Sequence, residues 1–93
     1  MRINIVLTRK FKKIYTVLPE SRKLNVDRAI VDLERYFETG VAPAGLGLTK
    51  LYPQIYEARA GIALRIVYIL EEPNVFLVLI GSHDDVRRFL KKV

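Results

Sequence analysis

A chain of 93 residues has room for one domain with one hydrophobic core, and an apolar fraction of 51% excludes disorder. No apolar run approaches the roughly 18 residues of a membrane helix, and the absence of cysteine removes disulfides, thiolate nucleophiles and cysteine-based metal sites. With His83 the lone histidine, neither a metal nor another cofactor is expected, while a formal charge of +6 favours an anionic partner wherever the basic residues converge.

Residues 2–7, rich in Ile and Val, predict a short buried strand. Arg9, Lys10, Lys12 and Lys13 follow too soon for a secretory signal, so the cytoplasm is the expected location. Phe11, Ile14, Tyr15 and Leu18 fall at i, i+3, i+4 and i+7, one apolar helical stripe with Lys10, Lys12 and Lys13 turned outward. Pro19 interrupts it, because it lacks the amide proton and restricts Leu18. Val26, Ile30, Leu33 and Phe37 form a second stripe, which Gly40 ends at a left-handed C-cap. Neither helix of this hairpin buries its stripe alone.

Residues 41–47 form a connector; with Thr49-Lys50 they lack the Gly-Lys-Ser/Thr order of a phosphate-binding loop. Three strands are predicted next, over 54–60, 63–70 and 75–80. They are joined around Gly61 and by Glu71-Glu72-Pro73-Asn74, and such short connections force an antiparallel meander. In residues 84–93, Val86, Phe89, Leu90 and Val93 have helical spacing, with Arg87, Arg88, Lys91 and Lys92 outside. The class is α+β: a helical hairpin and a short C-terminal helix on a small, mainly antiparallel sheet.

A three-residue connection of Ala60, Gly61 and Ile62 pairs Glu57 with Arg65 and Arg59 with Ala63. Glu57, Arg59 and Arg65 then share one face, and Tyr56, Ala58, Leu64, Ile66 and Tyr68 the apolar other; a two-residue connection separates Arg59 from Arg65. Glu57 and Arg65 read either as an exposed ion pair worth little or as a functional pair. Arg65 lies within the apolar run Leu64-Arg65-Ile66-Val67-Tyr68, where a charge needs a pair or a use. In Gly81-Ser82-His83-Asp84-Asp85, Ser82 or His83 suits a helix N-cap and the aspartates its first turn. Histidine is also the side chain best suited to proton transfer near neutral pH.

Taken together, Lys50-Leu51, Tyr56-Glu57-Ala58-Arg59, Leu64-Arg65-Ile66-Val67-Tyr68 and Gly81-Ser82-His83-Asp84-Asp85-Val86 resemble the C-terminal core of RelE/ParE-type toxins. The resemblance implies one RelE-like domain over residues 1–93, ordered β-α-α-β-β-β-α. It also implies the toxin of a type II toxin–antitoxin system. RelE-like members cut mRNA, often in the ribosomal A site, and are held inactive by an acidic antitoxin. The implied activity is thus a metal-independent endoribonuclease, or mRNA interferase, that inhibits translation, with mRNA, the ribosome and an acidic antitoxin as partners. Arg65 matches the family's phosphate-contacting strand arginine, and Arg59 a basic position on the preceding strand. Glu57 stands where the best-known members have lysine, either as a base or as the partner of Arg65. His83 falls where the family places arginine or histidine, which implies a general acid. Lys50, Arg87, Arg88 and Lys91 are the implied RNA contacts.

Two departures stand out. Val86-Arg87 occupies a place where many active members carry an aromatic residue, and Glu57 lowers the positive potential of the cleft. The alternatives are a ParE-like inhibitor that binds DNA gyrase without catalysis, and an inactive homologue serving as a protein-binding module.

Overall fold

In the computed structural model, which describes residues 2–93, strand β1 (Asn4–Leu7) leads through Thr8 into helix α1 (Arg9–Thr16). Thr8 caps α1 by accepting a hydrogen bond from the Phe11 N–H, and donates its own hydroxyl proton to the Leu77 carbonyl at 2.8 Å. After Pro19 comes α2 (Glu20–Thr39), closed by Gly40 at φ 76°, whose N–H donates to the Tyr36 carbonyl. Strands β2 (Thr49–Tyr52), β3 (Ile55–Ala60), β4 (Leu64–Glu71) and β5 (Asn74–Gly81) follow, and α3 (His83–Leu90) completes the element order.

The sheet runs β1-β5-β4-β3-β2, antiparallel throughout except for the parallel pair β1–β5. This is the expected α+β architecture with two corrections. First, β1 spans residues 4–7 and is an edge strand, not a buried one: partnered only by β5, it leaves Val6 and Leu7 each 37% exposed. Second, β2 adds a strand to the three expected after the hairpin. It is four residues long, exposed apart from Leu51, and its register breaks between Lys50 and Tyr52, so it carries no alternation to read.

Two apolar clusters lie on opposite faces of the sheet. The larger joins Phe11 of α1 and Val26, Ala29 and Leu33 of α2 to Ala58, Leu64, Ile66, Tyr68, Val75 and Leu77. The smaller joins Val86 of α3 to Ile55, Val67 and Leu79. A bulge lets β5 serve both. Val67 faces Leu79 but Tyr68 faces Leu77, so the extra residue Val78 turns Leu79 toward α3 while Leu77 stays beneath the hairpin.

Candidate active site

The β3–β4 connection has three residues, as expected, but they are Gly61, Ile62 and Ala63. Gly61, at φ 76°, takes the turn, and Ala60 stays in the ladder opposite Leu64. Arg59 therefore faces Arg65, and Glu57 faces Val67, in place of the Glu57–Arg65 and Arg59–Ala63 pairs expected. A slip of two residues preserves side-chain parity, so Glu57, Arg59 and Arg65 do start from one face.

Glu57 reaches Arg65 diagonally, with Nε to Oε2 at 3.2 Å and side chains 18% (Arg65) and 12% (Glu57) exposed. The expected ion pair is present, but it is largely buried and not on an exposed face. The contact is close but off-axis: the buried Arg65 Nε–H has no hydrogen-bond acceptor. Attraction here is electrostatic, and the guanidinium keeps unspent donor capacity.

On its other side Arg65 faces Gly81, the last residue of β5. Ser82 is the N-cap of α3, accepting from the Asp85 N–H at 3.2 Å, while Asp85 Oδ2 accepts from the Ser82 N–H at 2.8 Å. The backbone N–H and then the hydroxyl of Ser82, together with Arg88, hold the Asp85 carboxyl below the usual aspartate range. Helix and strand end are pressed together: a Cβ on Gly81 would fall 2.6 Å from Asp85 Cβ. His83, the first helical residue, is exposed and forms no part of the cap. The strand-to-helix junction thus fixes His83 two residues beyond the ladder partner of Arg65.

The other expected site residues are distributed differently. Lys50 pairs with Tyr56 and lies on the hairpin face, exposed, in a recess lined by Tyr36, Phe37 and Tyr68. Behind it, buried Tyr68 stacks on Tyr56 at 5.4 Å and meets Phe37 edge-on at 6.0 Å; burial pushes the Tyr68 phenol pKa up. Arg59 turns away from Arg65, its stem beside Gly47, into a groove against α2. Arg87, Arg88 and Lys91 are exposed around α3, with Arg88 tied to Asp85. Structure alone adds Lys10 and Lys92, which share a recess with Arg88; Lys10 sits 5.8 Å from the centroid of the Phe89 ring. Their charge was visible in sequence, but the packing of α1 beside α3 was not.

Among the described residues, no group of three or more His, Asp or Glu side chains is arranged to hold a metal. No helix is long and apolar enough to cross a membrane. The chemistry available is a nearly buried carboxylate–guanidinium pair with an exposed imidazole at the same end of the sheet.

No family model matches the chain, and no curated protein matches it. Solved structures do. A chain of the E. coli DinJ-YafQ toxin-antitoxin complex superposes with a TM-score of 0.72 at 15% identity, covering 92% of this chain and 98% of that one. The RelB-RelE antitoxin-toxin complex from Methanococcus jannaschii gives 0.65 at 14% identity, over 90% and 96%. The YoeB-YefM complex from Staphylococcus aureus gives 0.61 at 17% identity, over 89% and 99%. Shared element order and near-complete mutual coverage at such low identity establish common architecture: the chain has the fold of the RelE-like toxins.

Proposed function

We propose that this chain is the toxin of a type II toxin–antitoxin system and cleaves mRNA on the ribosome as a metal-independent endoribonuclease. The observation that carries the reading is Arg65: a mostly buried cation, paired off-axis with Glu57, with donors to spare at the end of the sheet where an exposed histidine follows its ladder partner by two residues.

The reaction needs only these groups. The 2′-oxygen beside the scissile phosphate attacks phosphorus, forming a new P–O bond as the bond to the 5′-oxygen breaks. Glu57 accepts the proton lost by the 2′-hydroxyl, and His83 donates one to the departing 5′-oxygen. Arg65 stabilises the charge that builds on the non-bridging oxygens. Products are a 2′,3′-cyclic phosphate and a 5′-hydroxyl, with protons balanced between base and acid. Arg87, Arg88 and Lys91, exposed on the helix that starts at Ser82, suit backbone phosphates and compensate for the absent aromatic residue by charge, not stacking.

An acidic antitoxin is the expected partner, a reading supported by the toxin-antitoxin complexes that share the fold. The test is induction in cells followed by mapping of mRNA 5′ ends, for the wild type and for His83→Ala. New 5′ ends that vanish with His83→Ala support cleavage. Growth arrest with intact mRNA and a DNA-damage response sinks it in favour of gyrase inhibition.

A further inference from the structure

We infer that the groove between α2 and residues 44–47 binds a nucleotide of an RNA strand, outside the cleavage cleft. The inference rests on the RNA-cleaving reading and extends it to a second point of contact on the substrate. The groove, with a volume of about 190 Å³, is lined by Asn25, Arg28, Asp32 and Arg59, with Gly45 and Gly61 at its rim.

Among the described residues, none of these four polar side chains makes a hydrogen bond or an ion pair within the protein. Arg28 and Asp32 are one turn apart on α2 and still form no salt bridge. Two exposed guanidiniums on separate elements share the groove with one carboxylate, Asp32, so it offers an external anion more positive than negative charge. Both are carried on regular structure. The Arg59 N–H donates to the Leu46 carbonyl at 2.7 Å, tying β3 to the loop. Two glycines leave the necessary room: a Cβ at Gly47 would meet Arg59 Cδ at 2.9 Å, and one at Gly61 would meet Asn25 Nδ2 at 2.6 Å.

The mixture of groups identifies the ligand class. Phosphate suits Arg28 and Arg59, while the Asn25 amide and Asp32 carboxylate suit hydroxyls or base-edge donors. An acidic peptide would set its carboxylates against Asp32, so a nucleotide fits better. Position agrees as well. Arg59 is the direct ladder partner of Arg65, so a groove residue and a cleft residue are anchored at neighbouring positions of β3 and β4.

The test is fluorescence anisotropy with a labelled 2′-O-methyl RNA oligonucleotide, which cannot be cleaved, over a range of salt. Arg28→Gln and Arg59→Gln should each weaken binding by about five- to tenfold and flatten the salt slope by about 0.7. Arg28→Lys and Arg59→Lys should retain most of the slope, which separates lost charge from lost fold. Wild-type affinity and slope in both Gln variants overturn the inference, as does loss of binding only to an Asp/Glu-rich peptide. In either case the cleavage reading stands if His83-dependent 5′ ends persist. Conversely, RNA binding that depends on Arg28 and Arg59 without any cleavage leaves the groove and removes the enzyme.

Discussion

Glu57 and Arg65 meet on the diagonal of the β3–β4 ladder, carboxylate to guanidinium at 3.2 Å, with Val67 and Arg59 as their direct cross-strand neighbours. The geometry leaves each charge dependent on a single partner that it grips imperfectly.

Truncating either partner should therefore strand a nearly buried charge. Arg65→Gln and Glu57→Gln should each lower stability by about 1–3 kcal/mol, and the double variant should cost less than their sum. Urea denaturation of the four proteins in the cycle measures this; strict additivity would show that the pair does not interact.

Acid sensitivity should be traceable to Asp85. Its folded pKa lies below the ordinary value because Ser82 and Arg88 hydrogen-bond the carboxylate. The contribution is full above the unfolded pKa and is lost as pH falls through the folded one. Below about pH 4 the wild type should therefore lose its advantage over Asp85→Asn in thermal midpoint. Ser82→Ala, removing the other half of the capping box, should cost about 1 kcal/mol near neutral pH.

Gly81→Ala tests whether the strand-to-helix junction positions the site. The added Cβ, 2.6 Å from Asp85 Cβ, meets the stem of a helical residue and forces α3 outward. A fall in thermal midpoint is expected, and the proposed function adds a larger loss of cleavage than of RNA affinity. Unchanged cleavage would mean that the pose of α3 is immaterial to His83.

Alkaline titration should find two tyrosines slow to ionise. Tyr68 is raised chiefly by burial and Tyr15 chiefly by its 2.8 Å hydrogen bond to Asp27. A raised phenol stabilises the fold below its unfolded pKa, about 10, and that contribution disappears as pH rises through the folded value. Phenolate absorbance followed to the unfolding transition checks this, and Tyr68→Phe should remove the component that appears only on unfolding.

Much of this was legible because its physics is local. The stripes of α1 and α2, the Gly40 cap and the face shared by Glu57, Arg59 and Arg65 follow from periodicity and parity. What escaped depends on distant neighbours. Ile5 and Val6 look like a core strand, but only the finished sheet order makes β1 an edge. Lys50 went to the hairpin face because β2, too short and exposed to advertise itself, pairs it with Tyr56. Arg59 left Arg65 for α2 because Gly47, remote in sequence, offers its stem a place to lie.

The parallel pairing of β1 with β5 also orders events in time. Asn4 finds its ladder partner only at Asn74. During synthesis, the first strand and the hairpin must wait, apolar stripes uncovered, until the central strands exist to receive them. A product ending before Asn74 would lack the edge pairing, the α3 junction and His83 together. The groups assigned to the proposed cleavage therefore come together only after the last strand and α3 have been made.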